Sequence, residues 1–269
     1  MTETRNETTA LTVGRRGHTM VVTINRPEAR NAVDLAVTEA LGDALAAAES
    51  DPDVRVVVLT GAGEKSFCAG ADLKAIARGE NLLPTTGERA RWGFAGYASH
   101  PISKPTIAAV NGTALGGGLE LVLASDLAVA AEHATFGLPE VKRGIIAGAG
   151  GVFRLPTQVP RKTAYEMIFT GASVSAREAL ALGLVNRVVP GERVLQCALE
   201  LADVIGENAP LAVQASKRVA QQIVDGVAAA ETSFWELSAR ERAVVRESED
   251  AKEGPRAFAE KRKPVWQAR

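Results

Sequence analysis

From Ile107 to Ala131 the chain is apolar almost throughout, yet this run also carries Asn111, four glycines, Glu120 and Asp126. A membrane-spanning helix would have to bury both carboxylates in hydrocarbon, which excludes that reading. The segment must instead be the interior of a globular domain, cut into strands and turns by its own glycines. Its centre is LGGGLEL, residues 115–121. There Gly116, Gly117 and Gly118 set the most permissive backbone beside Glu120, a charge that is costly to bury.

The flanking segments supply the architecture. TMVVTIN (19–25) reads as a strand ended by Arg26-Pro27. DLAVTEALGDALAAAE (34–49) has apolar residues at helical spacing, with Asp34 as its cap. VRVVVLTG (54–61), TIAAVNG (106–112) and DLAVAA (126–131) read as buried strands; Gly61 and Gly63 stop the first, and the Asn111-Gly112 turn signal closes the second. Strands alternating with helices imply an α/β fold with largely parallel sheets. Beyond residue 190 the composition shifts. Residues 192–230 read as helical and alanine-rich, 231–252 as an amphipathic charged helix, and no strand-like run appears. The expected organisation is an α/β core over 1–195 followed by a helical region over 196–269, whose apolar face packs on the core or on another subunit. Residues 79–87 read as a loop.

Bulk composition narrows the chemistry. The 269 residues include 31 basic and 32 acidic side chains, so nothing points to a nucleic-acid or membrane partner. Two cysteines cannot form a disulfide framework and fit a reducing compartment. The start, MTETRNETTA, lacks an apolar secretory core. A cytoplasmic location is therefore expected. Gly112 and Gly117 have phosphate-loop spacing, but Gly118 stands where the lysine belongs. The dinucleotide fingerprint fails at Ser66 and at Phe153, and no G-x-S-x-G elbow occurs. His18, His100 and His133 are scattered, so no metal site is expected. Cys68 reads as a small buried hydrophobe rather than a nucleophile.

Three segments remain: SFCAGADL (66–73), NGTALGGGLEL (111–121) and FGLPEVKRGIIAGAGGVFRL (136–155). The first two read as strand-turn-helix units with turns of small residues. Such turns leave backbone N–H groups unpaired at helix starts and admit a ligand closely. Two such donors aimed at one point form an oxyanion hole. Glu120 falls in the first turn of the second helix and Glu140 follows Pro139 in a loop. Two acids beside one ligand can divide proton transfer between them. Alternatively, Glu120 complements a helix dipole and the glycines allow tight packing; residue types alone do not bring Glu140 to Glu120.

These segments resemble the crotonase superfamily, also called the enoyl-CoA hydratase/isomerase family. The resemblance covers nearly the whole chain, from INRPEARNAV (24–33) through the three segments above and TGASVSAREALALGLVNRVVP (170–190) to AFAEKRKP (257–264). It implies a spiral of ββα units with a C-terminal helical trimerisation region, assembled as a homotrimer or a dimer of trimers. It also implies an acyl-CoA thioester substrate, with CoA entering as part of the substrate and no separate cofactor. By motif position, Ala71 and Gly117 supply the oxyanion amides. Ala69, Asp72, Leu73 and Lys74 flank the thioester, Arg30, Asn31 and Ala32 line the CoA path, and Phe258 and Lys261 complete the CoA site, often from a neighbouring subunit.

Hydratases of the family carry glutamates at both positions filled here by Glu120 and Glu140. The implied reaction is reversible hydration of a 2-trans-enoyl thioester in fatty-acid metabolism such as β-oxidation, with Glu120 activating water and Glu140 protonating C2. Ala147 stands where many hydratases have proline, and Val152-Phe153 replaces the common Thr-Gln; both departures bear on acyl specificity. Trp92, Phe94 and Tyr97 read as core contacts of a helix in preference to an acyl tunnel. Alternatives are an isomerase, a hydroxyacyl-CoA dehydratase such as a carnitinyl-CoA dehydratase-like enzyme, a decarboxylase, or an acyl-CoA-binding or RNA-binding relative with little catalysis.

Overall fold

Val56–Gly61 is buried at every position, and so is Thr106–Val110. Strands buried on both faces belong in the middle of a parallel sheet covered by helices. That is their place in a computed structural model, which describes residues 6–7, 10–224 and 227–269. Most of the polar start read at residues 1–10 lies outside the described residues, as do residues 225 and 226 of the helical region.

In chain order the strands are β1 (Asn6–Glu7), β2 (Leu11–Arg16), β3 (Thr19–Ile24), β4 (Val56–Gly61), β5 (Ser66–Cys68), β6 (Thr106–Val110), β7 (Thr113–Leu115), β8 (Leu127–Ala131), β9 (Thr135–Gly137), β10 (Ser173–Ser175), β11 (Arg187–Val189), β12 (Ile223–Val224) and β13 (Val227–Ala228). The helices are α1 (Leu35–Ser50), α2 (Leu73–Ala77), α3 (Gly117–Ala124), α4 (Gly151–Gln158), α5 (Arg161–Thr170), α6 (Ala176–Ala181), α7 (Val194–Gly206), α8 (Pro210–Ala220), α9 (Thr232–Glu247) and α10 (Glu249–Ala259).

A seven-stranded sheet runs β1-β2-β3-β4-β6-β8-β11. From β3 through β11 its neighbours are parallel. A smaller sheet runs β10-β9-β7-β5. Strands β4, β6 and β8 of the large sheet are each followed within a few residues by β5, β7 and β9 of the small one. Each pair then passes into helical structure, so ββα units repeat and their turns gather at one end. Asp34 caps α1 as read, accepting a hydrogen bond from the Val37 amide at 2.9 Å. Helix α7 lies across β4, β6 and β8 with Cys197, Ala198, Leu199 and Ala202 buried.

The helical region differs from its sequence reading. Asn208-Ala209-Pro210 interrupts it, because proline at the first helical position starts a new helix rather than continuing an old one. The absence of strands is corrected by the two-residue pair β12 and β13. The charged helix breaks at Ser248, whose hydroxyl caps α10 by accepting from the Ala251 amide at 3.1 Å. Helix α10 then packs against the 3-10 turn Pro139–Arg143. A Cβ on Gly254 would fall 2.0 Å from the Arg143 carbonyl oxygen, so only glycine allows this contact. Among the described residues no helix is long and apolar enough to cross a membrane.

Candidate active site

Two glycine turns come together at the end of the small sheet. After β5, the Ala69 amide donates to the Arg30 carbonyl, the Val33 amide to the Gly70 carbonyl, and the Asp72 amide to the Val33 carbonyl. This pairing leaves the Ala71 N–H without an acceptor among the described residues. After β7, the Gly116 amide donates to the Gly137 carbonyl at 2.9 Å, and Gly117 opens α3 with its N–H unpaired among the described residues. The turns touch: a Cβ on Gly70 would lie 3.0 Å from the Gly117 nitrogen. Gly116 has a φ of 56° and a ψ of −125°, a conformation that side chains disfavour. Each glycine of the run meets a different neighbour. A Cβ would fall 2.8 Å from Glu140 Oε1 at Gly116, 2.5 Å from the Phe94 ring at Gly117, and 1.9 Å from the Cys68 carbonyl oxygen at Gly118.

Both glutamates reach this point. Glu120, in the first turn of α3, is 4% exposed. Its Oε1 accepts from the Ala149 amide at 2.7 Å and the Gly151 amide at 2.9 Å, at the start of α4. Burial pushes its carboxyl up to about 7, although those amides, Arg154 and Arg242 act in the opposite direction. Glu140 sits on the 3-10 turn after β9, half-buried, and its Oε2 has no hydrogen-bond partner among the described residues. Burial, followed by the charge of Glu120, pushes Glu140 up to about 8. Two acids with raised proton affinities therefore lie beside two unpaired amides. The arrangement can hold an oxygen that gains negative charge and move protons nearby.

The remaining sequence candidates divide into two groups. Asn31 is fully buried, and its side chain bridges the Arg26 amide to the Ala62 and Ser66 carbonyls. Asp72 caps α2 through the Lys74 and Ala75 amides and pairs with Arg26 at 2.9 Å. Burial opposes ionisation of Asp72, but Arg26 and the two amides outweigh it and lower its pKa. These two side chains brace the turn that carries Ala71. Ala32 is buried beside them. Arg30, Leu73, Lys74, Phe258 and Lys261 are exposed. Phe258 lies under the guanidinium of Arg143, 4.1 Å from it, at the end of the 3-10 turn that carries Glu140.

The structure adds to the reading of Trp92, Phe94 and Tyr97. Trp92 packs on His100 and Gly42, and Tyr97 is buried with its hydroxyl 2.8 Å from Ser125 Oγ. Both are core contacts. Phe94 also packs on the core, half-buried, and in addition covers Gly117 and borders the site. Sequence reading also missed the Ala149 and Gly151 amides. The G-A-G-G spelling of residues 148–151 was their signal, since a second glycine turn opening a helix offers the same unpaired donors.

Comparison with known proteins gives the chain a family and relatives. The family described as "Enoyl-CoA hydratase/isomerase" matches residues 15–269. A carnitinyl-CoA dehydratase of Salmonella arizonae is 45% identical over 259 residues, covering 96% of this chain and 98% of that protein. The crystal structure of a carnitinyl-CoA hydratase from Mycobacterium avium superposes with a TM-score of 0.95 at 62% identity, covering 98% of this chain and all of that one (100%). An enoyl-CoA hydratase from Mycobacterium tuberculosis H37Rv superposes with a TM-score of 0.75 at 42% identity, covering 97% and 99%. The chain belongs to the enoyl-CoA hydratase/isomerase family.

Proposed function

We propose that this chain is a hydro-lyase that adds water reversibly across the 2-trans double bond of an acyl-CoA thioester. The observation that carries the reading is the convergence of two amides unpaired among the described residues, Ala71 and Gly117, with a buried and a half-buried acid of raised proton affinity. The thioester oxygen accepts from both amides as the enolate forms, and Phe94 covers Gly117 against water. Glu120 is held by one oxygen on the 149–151 amides, which leaves Oε2 to orient and deprotonate the attacking water. Glu140, pushed up to about 8, keeps its proton near neutral pH and delivers it to C2. Dehydration uses the same groups in reverse.

The 62% identity to the carnitinyl-CoA hydratase favours carnitinyl-CoA as the hydrated partner over an unsubstituted fatty acyl chain of β-oxidation. Arg30, the backbone of 31–32, Ala69, Leu73, Lys74, Phe258 and Lys261 are assigned to CoA, with no metal or redox cofactor. Residues 196–269 are assigned to self-association as a homotrimer or a dimer of trimers. Leu211 and Val219, each 78% exposed, and Val244 at 65% offer apolar surface for it. The location is cytoplasmic.

The test follows loss of the conjugated thioester absorbance with crotonyl-CoA and with the dehydration product of carnitinyl-CoA. The parent is expected to turn over the second faster. Glu120→Gln and Glu140→Gln are each expected to lose about 10²–10⁴ in kcat while still binding the thioester. A parent that binds these esters without turnover, or only shifts a 3-enoyl double bond, overturns the proposal.

A further inference from the structure

One face of α9 is turned toward the loop that holds Glu120. Glu231, the cap residue just before α9, and Trp235, Ser238 and Arg242 within it recur at steps of four, three and four residues, which places them in one row along the helix. Every member of the row has a partner in residues 148–154. Arg154 Nε and Nη2 donate to the two oxygens of Glu231 at 2.7 and 2.6 Å, a bidentate pair. Trp235 Nε1 donates to the same carboxylate at 3.2 Å. Ser238 Oγ donates to the Gly148 carbonyl at 3.2 Å in a buried contact. The Arg242 side chain lies 3.1 Å from where a Cβ on Gly148 would stand. Phe153, one of this chain's departures from the common Thr-Gln, meets Trp235 edge-on at 4.9 Å and Phe234 stacked at 5.5 Å. The Arg154 guanidinium lies 5.7 Å from the Phe153 ring and 5.3 Å from the Trp235 ring, and its Nη1 is buried without a partner among the described residues.

The gripped loop is the one whose amides fix Glu120. Ala149 and Gly151 lie between Gly148, held by Ser238, and Arg154, held by Glu231. The charged groups coupled to Glu120 are Glu140 on the 3-10 turn, whose proton affinity the Glu120 charge raises, and Arg154 from α4 and Arg242 from α9, which lower that of Glu120. Two of these three belong to the α9 contact, and Glu231 partly neutralises one of them.

We propose that Glu231 and Arg154, locked by Trp235 and Ser238 of α9, are positioning residues for Glu120, setting both the placement of its carboxylate and the field it experiences. The helical region thus helps to build the acid–base site as well as to assemble subunits. The inference rests on the proposed role of Glu120, but its test can be separated from that role.

Proton uptake by Glu120 is followed by the carbonyl carbon-13 resonance of labelled protein, with Glu120→Gln as the blank, and hydration is assayed in parallel. Arg154→Met removes a positive charge and is expected to raise the Glu120 midpoint by about 0.5 pH unit or more. Glu231→Gln keeps the shape but removes the neutralising partner, and is expected to move the midpoint down. Arg154→Lys keeps the charge and is expected to stay near the parent midpoint. In hydration, Arg154→Met is expected to lower kcat about tenfold or more with KM within about twofold, a split expected of misplaced acid–base chemistry. If Arg154→Met fails to fold, Glu231→Gln and Arg154→Lys still decide the matter through the sign and size of the midpoint change. Unmoved midpoints, or the same direction for the methionine and glutamine variants, reduce the contact to ordinary packing and overturn the inference. Opposite movements in a protein that hydrates nothing uphold the inference and overturn the proposed function.

Discussion

Glu140→Gln is expected to make the protein more stable, by an amount that grows from about pH 4.5 and levels off above about pH 8. The folded protein holds the Glu140 proton to about 8 against an ordinary 4.5. At about 1.4 kcal/mol per pH unit, that displacement corresponds to about 5 kcal/mol as an upper bound on the cost of ionising it in place. The side chain is only half-buried, and a glutamine amide in the same pocket also lacks partners, so the realised gain is about 1–3 kcal/mol. The sign follows from linkage. A carboxyl whose folded pKa is raised binds its proton more tightly in the native state than in the unfolded one. Its contribution is therefore fully present below the unfolded value and is lost as pH rises through the folded value. Glutamine never ionises, so the stability curves of parent and variant should run together below about pH 4.5 and separate up to about pH 8. Urea unfolding at one fixed protein concentration, with equal denaturant slopes, measures the difference. Curves that stay parallel, or a variant that loses stability toward high pH, would refute the claim that burial and Glu120 hold this acid protonated.

Gly118→Ala is expected to cost about 3 kcal/mol or more, because its Cβ would fall 1.9 Å from the Cys68 carbonyl oxygen with backbone on both sides of the contact. A melting temperature within a degree or two of the parent would show that the two segments do not meet as described. In a Cys197→Ser background, Cys68 is expected to resist a disulfide reagent at mildly alkaline pH and to react at once in urea, because burial pushes its thiol up to about 12. Rapid labelling of the native protein would contradict that burial.

The strands of the large sheet were legible because burial on both faces writes a continuous apolar run. VVVL in β4 and IAAV in β6 admit few other placements. The small sheet was not legible as a sheet. Strands β5, β7, β9 and β10 are three residues each, too short for a two-residue period to stand out from the turns around them. Pro210 and Ser248 were visible as residues, but the alanine-rich and charged surroundings favour helix on either side, so the interruptions disappeared into one long reading. Of the site, Ala71, Gly117, Glu120 and Glu140 could be placed through their motifs. The roles of Asn31 and Asp72 as braces could not, because their partners Ala62, Ser66 and Arg26 lie in other segments. Phe94 was hidden for the same reason. Like Trp92 and Tyr97 it packs on the core, and only the packed fold shows that its ring also reaches over Gly117.

The pairing of loose backbone and buried charge in LGGGLEL follows from where the ββα units end. Each unit leaves the large sheet through a short strand and a turn, and the turns at 68–72, 115–118 and 137–151 meet at one place. Backbone can approach backbone that closely only where side chains are absent. Gly118 meets a carbonyl, Gly117 an aromatic ring and Gly116 a carboxylate, so the three glycines satisfy three separate demands. The same crowding that strips the turns of side chains leaves the Ala71 and Gly117 amides without acceptors among the described residues and buries Glu120 away from bulk solvent. A carboxylate there would be untenable without the 149–151 amides, and with them it is costly enough that its proton is held near neutrality. Acids of raised proton affinity and amides without acceptors among the described residues therefore arise from one cause, the convergence of glycine turns from successive units. Any change that relaxes the packing should weaken both together.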